Sequence, residues 1–121
     1  MSRTGAIIVT HNSEGVIGRC LDSCRKAGIE PVVVDNGSHD GTCRLVSKKQ
    51  IGRLIVNTEN RGFAAAVNQG VRQCDHRYLL LLNPDVELLT TVDDLELACE
   101  AHGAAAGLLV DHRGKPQLGF A

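Results

Sequence analysis

Two carboxylates stand where an apolar strand gives way to a turn. Asp35 closes the run Pro31–Asp35 (PVVVD), and Asp85 follows Tyr78–Leu82 (YLLLL) across Asn83 and Pro84. A carboxylate in such a place needs a hydrogen-bonding partner, water or a cation. Like charges repel, so a rim of carboxylates does not suit phosphate alone. It suits a ligand in which one carboxylate accepts hydrogen bonds from a base or ribose while the other meets a divalent cation. Mg²⁺ binds through one or two carboxylates plus substrate phosphates, and Mn²⁺ is a similarly hard ion. The chemistry implied is a nucleoside diphosphate leaving group whose charge a metal neutralises.

The elements that must carry these residues alternate. Ala6–Thr10 (AIIVT) is an apolar run suited to a strand buried on both faces. Asn12 or Ser13 can cap a helix running to about Ala27, with Gly28 as its stop and Val16, Ile17, Cys20, Leu21 and Cys24 as its buried stripe. Pro31–Asp35 is the second strand, and a helix from Thr42 to about Lys49 follows the turn cluster at 36–41. Arg53–Asn57 is the third strand. The helix after it begins near Gly62 and carries Phe63, Ala66, Val67, Gly70, Val71 and Cys74 at helical spacing. Tyr78–Leu82 is the fourth strand, a helix from about Thr91 to His102 turns Val92, Leu95, Ala98 and Cys99 inward, and Ala105–Val110 is the fifth strand. Strand and helix in alternation with short connections mean an α/β fold: a mainly parallel open sheet with helices on both faces. Right-handed crossovers bring every strand-to-helix turn to one edge, where ligands of open α/β sheets bind. That edge gathers His11 and Asn12, then Asp35, Asn36, Gly37 and Ser38, then Asn57, Glu59, Asn60 and Arg61, and finally Asn83, Pro84 and Asp85. Turns favour Asn, Asp, Gly and Ser for backbone reasons of their own, so the set matters more than any member.

Composition narrows the ligand. A chain of 121 residues makes one domain with a modest core. Lys plus Arg is 13 against 14 for Asp plus Glu, a net charge of -1, which offers no field for a nucleic-acid backbone. Aromatics are 2% of the chain, too few for a base-stacking platform. The five cysteines, at 20, 24, 43, 74 and 99, are odd in number and mostly fall at apolar-periodic positions, which reads as reduced core thiols rather than a disulfide framework. Histidines 11, 39, 76, 102 and 112 lack ligand-pair spacing, arguing against zinc. No G-x-G-x-x-G follows the first strand and no P-loop is present. The apolar runs are too short to span a bilayer, and the first residues pass directly into a strand rather than a signal peptide.

Four segments in order then carry a resemblance. Val9-Thr10-His11-Asn12 and Val32–Ser38 with Asp40-Gly41-Thr42 look like the opening of inverting family 2 glycosyltransferases of the GT-A (nucleotide-diphospho-sugar transferase) fold. Asn60–Gly70 (NRGFAAAVNQG) is similar to that family's third motif, and Leu82-Asn83-Pro84-Asp85-Val86 resembles its metal-binding Asp-x-Asp in the rhamnosyltransferase-like subgroup. The resemblance spans residues 7–88. It implies a nucleotide site in which Thr10 and Asn12 lie against the base, Asp35 hydrogen-bonds it within the turn that Gly37 closes, and Arg61 and Gly62 sit near ribose and phosphates with Asn68 behind them. It implies Asp85 at a divalent cation, Mg²⁺ or Mn²⁺, and the diphosphate. Asn83 departs from the pattern, replacing the first carboxylate and lowering the expected metal affinity.

The same resemblance implies a UDP- or dTDP-linked sugar donor, leaning to a deoxysugar such as rhamnose, and an acceptor glycan or lipid-linked glycan. It implies inverting transfer in cell-surface polysaccharide synthesis, in the cytoplasm or peripherally at the inner face of the membrane. In that family the general base that deprotonates the acceptor hydroxyl belongs to a later, acceptor-binding half. No residue of this chain matches it, so residues 1–121 read as a single nucleotide-sugar-binding domain of an incomplete GT-A fold. The competing reading is a non-catalytic nucleotide-binding or interaction module, in which a homodimer covers the surface that half would bury.

Overall fold

The computed structural model describes residues 3–111 and 113–115. They form β1 (Thr4–Thr10), α1 (Glu14–Lys26), β2 (Glu30–Asn36), α2 (Thr42–Lys49), β3 (Arg53–Asn57), α3 (Phe63–Arg72), β4 (Tyr78–Leu81) and α4 (Asp93–His102). The chain divides into two compact units between Thr91 and Val92, and the first holds the whole sheet. Strand order is β3-β2-β1-β4. Every pairing is parallel, with Thr10 opposite Asp35, Asn36 opposite Asn57 and Ile7 opposite Leu81.

Side chains of a strand alternate between faces, and that alternation sorts the core into two layers. Val32 and Val34 of β2 pack with Ala66 of α3, and Val9, Ile55 and Cys74 close around them. On the opposite face lie Ala6, Ile8 and Val33, as buried as Ile17, Cys20, Leu21 and Cys24 on the inner stripe of α1. The βαβ pattern is thus realised as a parallel sheet with helices on both faces. Thr10 and Asp35 belong to the α1 and α2 face, whereas Asn36, one residue on, belongs to the α3 face.

Residues 105–110 do not form the fifth strand that their apolar run predicts: only an isolated bridge at Val110 is seen, and Leu108 is 73% exposed. An apolar run becomes a strand only when a neighbour takes up its backbone hydrogen bonds. The apolar stripe of α3 is helical as expected, but the sheet covers only its centre. Ala66 and Gly70 are buried, while Phe63 is 57% exposed. Val92, just before α4, is buried, while Leu95, Ala98 and Cys99 within it are only half-buried. All five cysteines are free, and Cys20 and Cys24 are fully buried. Among the described residues no helix is long and apolar enough to cross a membrane.

The seating of α3 depends on Gly70. A Cβ there would lie 2.7 Å from Ile7 Cγ2 and 3.5 Å from Val34 Cγ2, both in the core. Overpacking costs about 1–3 kcal/mol, against about 1 kcal/mol gained from helix propensity on replacing glycine by alanine. Gly70→Ala is therefore expected to lower the thermal midpoint. A midpoint equal to or above that of the unaltered chain would show that α3 does not seat on β1 through this residue.

Candidate functional site

At the carboxyl edge, the turn after β1 is fastened to the turn after β2 by a row of hydrogen bonds. The Asn12 amide donates to Ser38 Oγ at 2.7 Å, and the His39 amide donates to Asn12 Oδ1 at 2.8 Å. The Ser13 amide donates to Thr42 Oγ1 at 2.8 Å. Two carboxylates cross over: the Glu14 amide donates to Asp40 Oδ2 at 3.2 Å, and the Gly41 amide donates to Glu14 Oε1 at 3.1 Å. Ser13 makes no side-chain cap of its own, so Asp40 serves the N-terminus of α1 from the neighbouring turn, as an acidic group there should. Asn12 adopts a left-handed backbone (φ 51°) that asparagine tolerates better than most residues. His11 reaches across as well, its Nδ1 lying 2.8 Å from the Asn36 carbonyl.

Beneath this row lies Asp35, wholly buried. The Thr10 hydroxyl donates to its Oδ1 at 2.7 Å, the Ser38 hydroxyl shares that oxygen, and the Ser38 amide donates to Oδ2 at 2.9 Å. A carboxylate has about four lone-pair positions, and the bonds from Thr10 and Ser38 occupy most of them. Burial pushes the Asp35 carboxyl upward, but Ser38 and Thr10, with the nearby Cys43 thiol, together carry it below its ordinary value of 3.8. Burial and the neighbouring Asp35 in turn push the Cys43 thiol up to about 11.

Gly37, with φ 72°, lets the turn double back to present Ser38. A Cβ there would lie 3.0 Å from Glu59 Cα, so the β2 turn rests directly on the β3 turn. On the α3 face, side-chain amides make a second cluster. Asn57 Nδ2 donates to Asn36 Oδ1 at 3.0 Å and to Gln69 Oε1 at 2.7 Å, while Gln69 Nε2 donates to Asn57 Oδ1 at 2.8 Å. Asn36 Nδ2 donates to the Gly62 carbonyl at 3.1 Å, and the Arg61 amide reaches Asn36 Oδ1 at 3.4 Å. Gly62 enters α3 at φ 86°, ψ 166°, a backbone conformation open essentially to glycine alone. No side chain caps α3, which leaves amides of its first turn facing the rim beside the exposed Arg61.

The Asn83–Val86 turn is closed by the Val86 amide on the Asn83 carbonyl at 3.1 Å, and the Cys20 thiol of α1 approaches the same carbonyl at 3.6 Å. Leu88 then donates its amide to Ser23 Oγ at 2.9 Å, so this segment lies along α1 and leaves Asp85 exposed. Among the described residues no three histidine, cysteine or acidic groups converge as a metal site.

The structure thus joins Thr10, Asn12, Asp35 and Gly37 in one cluster and Arg61 with Gly62 in a second, and sets Asp85 on the turn after β4. Asn68 stands apart, exposed on α3. Its neighbour Gln69, which no sequence argument singled out, makes the contacts instead. Helical spacing offered a signal, because Gln69 lies three residues after Ala66, a buried residue of the same helix.

Residues 6–115 match the family model described as Glycosyl transferase family 2. A glycosyltransferase GlyA of Streptococcus pneumoniae is 32% identical over 65% of this chain and 12% of its own length. A poly-beta-1,6-N-acetyl-D-glucosamine synthase of Staphylococcus epidermidis is 30% identical over 74% of the chain and 20% of its own. Among solved structures, S. aureus TarS in complex with UDP superposes with a TM-score of 0.71 at 26% identity, over 84% of this chain and 33% of that one. The chain therefore spans only a minor part of the length of these relatives. It belongs to glycosyl transferase family 2, and its parallel sheet with flanking helices is part of the GT-A architecture.

Asp35→Asn exchanges an acceptor-only group for one that must place an NH₂ among donors. The exchange is expected to cost about 1–3 kcal/mol at neutral pH. A carboxyl with a depressed folded value contributes stability above its unfolded value and loses it as pH falls through the folded one. The stability gap between the unaltered chain and Asp35→Asn is therefore expected to be constant at neutral pH and to narrow on acidification below 3.8. Denaturant titrations across that range check it, and a gap that widens towards acid would contradict it.

Proposed function

We propose that this chain binds the nucleotide of a nucleoside-diphosphate sugar at the carboxyl edge of its sheet, as the donor-binding part of a glycosyltransferase. The observation that carries this reading is the convergence of four strand ends on that edge. One buried carboxylate and one buried amide cluster fix the turns, while Arg61 and Asp85 stay exposed between them and solvent. The UDP bound by TarS, a relative in both sequence and fold, supports a uridine nucleotide in preference to a dTDP-linked one.

In this reading the base end meets the turns held by Thr10, Asn12, Asp35 and Gly37. Because donors from the chain already occupy Asp35, direct contact with a base would require Ser38 to yield its place. Without that exchange, Asp35 acts by shaping the turn. The diphosphate meets Arg61, Gly62 and the free amides at the start of α3, a disposition that favours anions. Asn68 would contribute only from the outer side of α3.

Asp85 fits a divalent cation as a single hard oxygen ligand on an exposed turn. That suits Mg²⁺ or Mn²⁺, which keep several waters and take further ligands from the diphosphate. Such a cation, when bound, would neutralise charge on the departing diphosphate. Sugar transfer to an acceptor hydroxyl, with inversion, belongs to the whole protein. The polysaccharide synthase among the relatives supports a glycan as the acceptor.

A ligand that binds only the folded state stabilises it by about 2.7 kcal/mol at a hundred times its Kd. UDP with Mn²⁺ is expected to raise the thermal midpoint of the chain more than UDP alone, and Asp85→Ala is expected to remove the increment due to Mn²⁺. If neither UDP nor dTDP moves the midpoint with Mn²⁺ present, the donor-site reading fails. If Asp85→Ala keeps the full increment, the metal assignment fails.

A further inference from the structure

Asp35 and Asn36 are successive residues of β2, so their side chains enter opposite faces of the sheet. Asp35 ties the end of β1 to the turn after β2 on one face. Asn36, 2% exposed, ties β2 to β3 and α3 on the other, through Asn57, which is 4% exposed, and Gln69. A buried polar cluster is costly unless its members are paired, and apolar side chains would fill the same space. In this cluster both protons of the Asn57 amide and its oxygen are used, and the chain of bonds ends on the backbone of Arg61 and Gly62. The Gly62 carbonyl also accepts the Ala66 amide at 3.3 Å, the first hydrogen bond of α3. The side chain that holds this carbonyl therefore also sets the direction of the first helical turn.

We propose that Asn36, Asn57 and Gln69 are positioning residues for the diphosphate end of the donor site. They would hold the Arg61 backbone and the opening amides of α3 in register with a base end mounted separately on Asp35. The proposal rests on the donor-site reading above and deepens it: the two ends of the ligand are carried by separate side-chain clusters on two faces of the sheet. Asn57 is the pivot. In Asn57→Asp the Gln69 Nε2 contact survives, but an oxygen faces both Asn36 Oδ1 and Gln69 Oε1 where a donor stood. Asn36 is then released from one partner and its grip on Gly62 loosens.

The test uses the intact chain titrated with UDP and with uridine, both followed by NMR. Asn57→Asp is expected to weaken UDP binding about fivefold to tenfold, the worth of roughly one hydrogen bond, and to leave uridine binding unchanged. Gln69→Met, at a half-buried position, is expected to give a smaller loss of the same selectivity and carries the test alone if Asn57→Asp does not fold. In an Arg61→Ala background the UDP penalty of Gln69→Met should shrink, because the guanidinium carried on the backbone that the cluster holds is gone. A loss equal for UDP and uridine, or no loss for either, would overturn the positioning role while leaving the donor site standing. Failure of the unaltered chain to bind UDP would overturn both.

Discussion

A buried carboxylate with no cation beside it must be surrounded by donors, and at Asp35 those donors come from two strand ends. Thr10 ends β1, and Ser38 lies in the turn after β2. Satisfying one charge therefore draws the two turns to a common point. The bonds above it, from Asn12 to Ser38 and from Ser13 to Thr42, follow because those groups are brought within reach. Were the carboxylate lost, these turns would keep their sequence preferences but lose the group that makes them one surface.

The Asn36 cluster does for the β3 and α3 side what Asp35 does for the other, using neutral amides in place of charge. The difference has a physical reason. Asp35 lies among hydroxyls and an amide that all donate, whereas Asn36 must both donate, to Gly62, and accept, from Asn57. A carboxylate could not do the first, and an apolar residue could do neither. The neighbouring residues Asp35 and Asn36 thus split the work of the rim between the faces of the sheet, and Gly37 turns the chain immediately after them.

The fold was largely legible because its signals are local. The bounds of β3 and α2 follow from an apolar run and a turn cluster, and the buried stripe of α1 follows from helical spacing. Where the reading missed, pairing or coverage was at stake, as with the solitary bridge at Val110 and exposed Phe63. Composition cannot say which apolar groups will find a neighbour. In the site, Asp35 was legible as a carboxylate in need of partners, but not the identity of those partners, 3 to 25 residues away. Gln69 was missed for the same reason. Its role exists only once the β3–α3 crossover has brought it to Asn57, whereas the neighbouring Asn68 matched a motif without acquiring a contact to the sheet.

The central claim is that a nucleoside diphosphate lies across the carboxyl edge, from the Gly37–Ser38 turn to the start of α3 and the Asp85 turn. Backbone amide chemical shifts recorded during titration with UDP and Mg²⁺ test it most directly. The largest changes are expected at Gly37, Ser38, Gly62, Phe63 and Asp85, with Gly28 and Gly52 on the opposite edge unmoved. Changes centred on Gly28 and Gly52, or none at the carboxyl edge with saturating UDP, would contradict it.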